Sequence, residues 1–136
     1  MDDTQEARIE HLKLLQNTVT RMANASAAMK RYCLIISAAA LGLAAATKLW
    51  VLPLIAAVLC VIFWAADAMY LRQEHWFRNM FDQARQHELG LFVMTPDRPT
   101  RDSVTLGEKI KSWSTAGIYG PLCGFLVLSS FVLFLS

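Results

Sequence analysis

Three long stretches without a charged side chain dominate the pattern of polar and apolar positions. No Asp, Glu, Lys, Arg or His occurs from Tyr32 to Thr47, from Leu49 to Ala66, or from Ser112 to Ser136. Runs of this kind are hard to bury in a small soluble fold and suit helices that cross about 30 Å of hydrocarbon. From Thr4 to Thr47 there is no Pro and a single Gly, Gly42, while Glu, Gln, Leu, Lys, Arg, Met and Ala dominate, so one helix is predicted to run unbroken from a polar half into span one. The uncharged part of that helix is short for a bilayer, and the apolar stems of Lys30, Arg31 and Lys48 make up the deficit by reaching for the headgroups. A tight connection around Lys48 to Pro53 follows, and Pro53 suits the first turn of a second helix because its missing N–H would be unpaired there anyway.

The second helix has no breaker until Gly90, so it is predicted to leave the membrane near Asp67 and continue to Arg85. Tyr70, Phe77, Phe81 and Ala84 give this extension one apolar face. Residues 90–103, with Pro96 and Pro99 beside Asp and Arg, read as a loop. Thr105-Leu106-Gly107-Glu108 has the form of a capping box, which predicts a third helix that starts there, loses its charge after Lys111 and runs to the end. The chain thus divides into an amphipathic helix (1–31), three spans (32–47, 49–66 and 112–136) and an intervening polar region (67–111). The expected fold class is an all-α membrane protein with three transmembrane helices and long cytoplasmic extensions of helices 1 and 2, assembled as an oligomeric bundle.

Composition agrees with that division. The 136 residues are 55% hydrophobic and 18% charged, and the mean hydropathy is +0.36, too apolar for an ordinary soluble domain of this length. A net charge of +2 is too small to argue for nucleic acid. Of the thirteen Lys and Arg residues, only Lys48 lies between spans one and two; the others precede span one or separate spans two and three. The positive-inside rule then predicts a cytoplasmic amino terminus, a cytoplasmic 67–111 region and a carboxyl terminus outside. Tyr32, Trp64 and Trp113 near the inner boundary and Trp50 near the outer one suit aromatic belts. The acidic amino terminus lacks the basic region of a secretory signal, so span one is expected to stay in the mature protein. Cys33, Cys60 and Cys123 sit in the apolar runs without metal-ligand spacing and are expected to be packing residues; no metal site or cofactor is expected.

Two stripes mark the polar half of helix one: Ile9, Leu12, Gln16, Val19, Ala23 and Ser26, and beside it His11, Leu15, Thr18, Met22, Ala25 and Met29. They allow packing either against two neighbours in a ring, with Gln16, Thr20 and Asn24 facing a central axis, or against helix two of the same protomer. Span three carries Gly117, Gly120 and Gly124 around Pro121, and the G-x-x-x-G spacing makes these helix-packing candidates, with a kink expected at Pro121. Asp67 is the acid closest to the bilayer; pairing with Arg72, Lys30 or Arg31 is weighed above a role in ion selectivity. The histidines His11, His75 and His87 are expected to be solvated or capping side chains. No catalytic arrangement of side chains stands at a reactive spacing, so an enzyme is not expected.

Two segments carry a resemblance. His11 to Gln16 followed by Arg21-Met22-Ala23-Asn24 and Lys30, and Asp67-Ala68-Met69-Tyr70-Leu71-Arg72-Gln73-Glu74 followed by Phe77-Arg78, resemble a family of small bacterial inner-membrane proteins with an amphipathic helix leading into a two-helix hairpin. The family pattern has Asn-Ser-Phe where this chain has Ala25-Ser26-Ala27, and Tyr in place of Met69. Proteins of this kind look like effectors of anti-phage systems, including the channel subunit of Hailong-type defence. The resemblance implies a membrane-depolarising ion channel in the bacterial inner membrane, a homo-oligomer such as a tetramer, with a nucleotidyltransferase or oligonucleotide signal as its partner. On that reading Gln16, Thr20 and Asn24 line or plug an axis, and Asp67 and Arg72 sit at the cytoplasmic mouth. The alternative is a non-conducting membrane anchor that docks a cytosolic partner through the helix-two extension and the 90–103 loop.

Overall fold

The computed structural model contains five helices in order: α1 (Asp3–Thr47), α2 (Val51–Arg85), α3 (Arg98–Asp102), α4 (Leu106–Ile110) and α5 (Trp113–Leu135). It describes residues 3–86, 90, 92–96, 98–102 and 104–136, and no strand occurs among them. The three long helices each contain an apolar stretch long enough to cross a membrane, so the chain is an all-α protein with three candidate spans. α1 is one unbroken rod of about 65 Å, as its lack of breakers predicts.

The α1–α2 connection is short. Lys48 takes a left-handed conformation, φ 60°, and its N–H returns to the Ala44 carbonyl at 2.8 Å, closing the end of α1. Pro53 falls in the first turn of α2, where no intrahelical donor is lost. The two helices then run antiparallel: Arg8 reaches the Ala84 carbonyl, Leu15 packs with Met80, and Lys30 meets Asp67, so residue numbers rise along α1 as they fall along α2. α5 returns against α2, with Cys123 beside the Ala57 carbonyl, and Trp50 meeting Ser130 and Phe134. α2 is therefore the central helix: a third of its most apolar window is buried, against 17% for each of the other two.

Two clusters hold the bundle. Between the spans, Cys33, Ala56, Ala57, Cys60, Tyr119 and Leu126 form a tight seam whose small side chains let the backbones approach. In the polar half, Leu15, Met80 and Ala84 are joined by Leu12, Phe77, Phe81, Val93 and Met94, so the segment after α2 folds back over the start of α1.

The structure revises four expectations. The buried line on α1 runs through His11, Leu15, Val19, Ser26, Cys33, Ser37 and Ala44, crossing from one sequence stripe to the other, while Ile9 and Gln16 are exposed. A helix of 3.6 residues per turn drifts about 20° per heptad against a 3.5-residue seam, so a straight contact line migrates across such stripes. The packing on α2 within one protomer is thus the arrangement present. His11 is not solvated: it is buried, bonded to the Val93 carbonyl at 3.1 Å and set against Phe92. The 90–103 segment is not wholly loop. α3 lies within it, because Pro99 is tolerated in a first helical turn and Thr100 is buried beside Gln83 of α2.

The third helix is also interrupted. The Thr105–Glu108 capping box forms with both hydrogen bonds, but the helix it starts ends at Ile110, and Ser112 is extended at ψ 142° before α5 begins. Carbonyls at the break find side-chain donors: the single Thr115 O–H has the Lys109 carbonyl as its nearest acceptor, with that of Ile110 also in reach, and the Trp64 indole N–H donates to Ile110 at 3.1 Å. α5 itself stays helical through Pro121.

The left-handed Lys48 costs energy that a glycine would not. Lys48→Gly is expected to stabilise the fold by about 1 kcal/mol, offset in part by a more flexible unfolded chain. Thermal unfolding in detergent checks this, and a midpoint below that of the parent protein would contradict it.

Candidate functional site

The uncharged run of α2 ends at Ala66 and that of α1 begins at Tyr32, so an antiparallel hairpin brings the flanking charges to one level. There Lys30 Nζ lies 2.7 Å from Asp67 Oδ2. The Asp67 side chain is fully buried and that of Lys30 is 17% exposed, so this ion pair is shielded from water. Lys30 also donates to the Ser26 hydroxyl, one turn back on α1, at 2.9 Å. On the third side lies the buried Tyr119 of α5, whose hydroxyl makes no hydrogen bond among the described residues. The Tyr119 ring stacks on Trp64 at 6.3 Å and 11°, and Trp64 reaches across to the broken end of α4. Three helices therefore meet at one charged point.

The arrangement ties α1 to α2. Asp67 Oδ1 accepts no hydrogen bond among the described residues, which leaves the carboxylate dependent on Lys30. Unpairing a buried charge at the edge of hydrocarbon costs several kcal/mol. The Asp67 side chain is sealed from solvent within the protomer. Among the described residues no three His, Cys, Asp or Glu side chains are grouped to hold a metal ion.

The sequence candidates are placed as follows. Gln16, Thr20 and Asn24 all lie on exposed positions of α1, and the Thr20 hydroxyl turns back to the Gln16 carbonyl at 3.0 Å. Gln16 also edges a groove of 280 Å³ with Val19, Arg78, Phe81 and Asp82. Asp67 points into the protomer, and its partner is Lys30. Arg72 instead stacks over the Trp76 ring at 4.3 Å. A side chain added at Gly120 or Gly124 would meet nothing within 4 Å, and one at Gly117 would meet only Trp113 of the same helix. Pro121 is exposed beside them. The face of α5 buried within the protomer is a different one and carries Thr115, Tyr119, Leu126 and Ser130. His87 lies outside the described residues.

Ser26, Trp64 and Tyr119 were not singled out for this site from the sequence. A tyrosine in an otherwise apolar helix is a weak signal, and only the fold shows that it lies at the depth of Asp67. Comparison with known protein families, with curated proteins and with solved structures finds no match to this chain.

Outside the spans, His75 is held below its ordinary value of 6.5 by burial, and then by the positive charges of Lys109 and Arg78, against a smaller opposing effect of Glu74. A depressed histidine favours the folded state above the unfolded value, and that contribution is lost as pH falls below about 6.5. The thermal midpoint is expected to drop over this range, and His75→Gln should flatten that part of the profile; an unchanged profile would contradict the assignment. For the ion pair, Lys30→Met is expected to destabilise the fold by about 3 kcal/mol or more, and Lys30→Met with Asp67→Leu to recover most of it. A double-mutant cycle on thermal stability reads this, and additive effects would mean that the two side chains are not coupled.

Proposed function

We propose that the protein is a homo-oligomeric ion channel of the bacterial inner membrane that depolarises the cell in anti-phage defence. In this reading the amino terminus and the polar halves of α1 and α2 are cytoplasmic, the carboxyl terminus is outside, and a nucleotide signal or partner acts on the cytoplasmic helices. The observation that carries it is the line of Gln16, Thr20 and Asn24, polar and exposed on α1, in a protomer whose three spans are too few to enclose a pore alone. Assembly around an axis gives that line an inside to face. The open Gly120–Gly124 face of α5 supports the same reading, since small residues let spans of neighbouring subunits approach closely.

The Lys30–Asp67 pair then serves as a latch. Because α1 is one continuous helix, a displacement of its polar half is carried into its span, and the pair resists that displacement at the membrane boundary. Arg72, about a turn and a half further out, stands at the cytoplasmic mouth.

Ion flux from liposomes holding the purified protein, followed with a potential-sensitive dye, tests the proposal with and without a panel of cyclic and linear oligonucleotides. Flux that appears with one ligand is expected, and Asp67→Asn should leak without it. Triple Ala substitution at Gln16, Thr20 and Asn24 should change conductance or gating; if both are unaltered, the axial assignment is wrong. No flux under any condition from folded, oligomeric protein would favour the anchoring role, with a cytosolic partner bound along the helix-two extension.

A further inference from the structure

On the polar side of the latch, α2 and α3 border a cavity of 430 Å³ lined by Arg72, Gln73, Trp76, Phe77, Pro96 and Arg101. Two guanidinium groups from separate elements share it, and none of the six lining residues is acidic. Neither guanidinium has a carboxylate partner among the described residues, where the ion pairs are Lys30–Asp67 and Arg78–Glu74. Like charges on one cavity repel each other, and a bound anion removes that cost. Arg72 is held in place by its stack on Trp76 at 4.3 Å. Stacking occupies the face of the guanidinium and leaves its in-plane N–H donors, which match the oxygens of a phosphate in pairs.

Position selects the source of the anion. The α2 residues that line the cavity run from five to ten positions beyond Asp67, about 7.5–15 Å along the helix from the end of the uncharged run. The headgroup layer is about 5–7 Å deep on each face of a bilayer, so a lipid phosphate stops short of the cavity and a solute in water reaches it. Gln73 adds an amide, while Trp76, Phe77 and Pro96 add apolar surface that suits an organic group attached to the phosphate better than a bare ion. From this geometry we infer that the cavity is a binding site for a soluble organic phosphate, with Arg72 and Arg101 as its paired anion-binding residues. A ligand held there joins α3 to the helix that carries Asp67. Binding is independent of conduction; only its use as the receptor for a nucleotide signal rests on the channel reading above.

Isothermal titration calorimetry of the full-length protein in a neutral detergent tests this with ATP, inorganic phosphate and adenosine as probes. ATP is expected to bind saturably with a dissociation constant below about 1 mM, inorganic phosphate to compete with it, and adenosine, which lacks the phosphate, not to bind. Arg101→Gln and Arg72→Gln should each weaken ATP binding by about tenfold or more, while Arg98→Gln, an exposed position outside the cavity, should leave it unchanged. Arg101 is exposed, so its variant keeps the test valid if loss of the Arg72–Trp76 stack impairs folding. Binding of neither ATP nor inorganic phosphate by the parent protein overturns the inference, as does undiminished ATP binding by Arg101→Gln. Displacement of ATP by an equal concentration of phosphatidylglycerol would assign the cavity to a lipid phosphate and overturn the soluble source. ATP binding that depends on both arginines, in a protein whose liposomes show no flux with any nucleotide, would uphold the site and sink the channel reading.

Discussion

Lys30 and Asp67 constrain everything around them, because a carboxylate at the edge of the hydrocarbon must keep its counter-charge. Sliding α1 along α2 by one helical turn moves the partners apart by about 5.4 Å and leaves Asp67 buried and unpaired. Apolar seams in a membrane give no such restriction, since alanines and cysteines pack almost as well one turn up or down and lipid is as apolar as leucine. The ion pair thus sets the register of the hairpin, and the Cys33–Cys60 level of the seam and the Leu15–Met80 contact of the polar half both follow from it.

The same point fixes the third helix. Tyr119 of α5 stacks on Trp64 of α2, and the break between α4 and α5 lies where Trp64 also reaches Ile110. A continuous helix from Thr105 would leave no free carbonyls at Lys109 and Ile110 for Thr115 and Trp64 to bond. Trp64 joins the two features directly, since its ring stacks on Tyr119 while its N–H holds Ile110. Polar satisfaction at the break and the stack of Trp64 on Tyr119 are therefore parts of one connected structure.

The two ends of the bundle are held differently. Between the spans, packing is close and made from small side chains; in the polar half, a smaller cluster and single hydrogen bonds, Arg8 to Ala84 and His11 to Val93, join α1 to the end of α2 and the segment after it.

Much of the architecture was legible in the chain. The three uncharged runs, the absence of breakers in α1, Pro53 and the Thr105–Glu108 box determined the helices and their order, because hydrophobic runs, breakers and caps act over a few neighbouring residues. Asp67 stood out for the same reason: a charge at the end of an apolar run is conspicuous in one dimension. What the chain left open depended on distance through space. Lys30 was one of three partners considered, and only the antiparallel register singled it out. His11 looked solvated because burial by the returning Phe92–Val93 segment is invisible in the helix pattern. The break after Ile110 lay inside an apparently continuous helix, since the donors that compensate it come from Thr115 in the next helix and Trp64 in another. Local propensity determined which segments are helical; tertiary packing decided which face is buried and which charge meets which, because those are settled by the free energy of burying whole surfaces against one another.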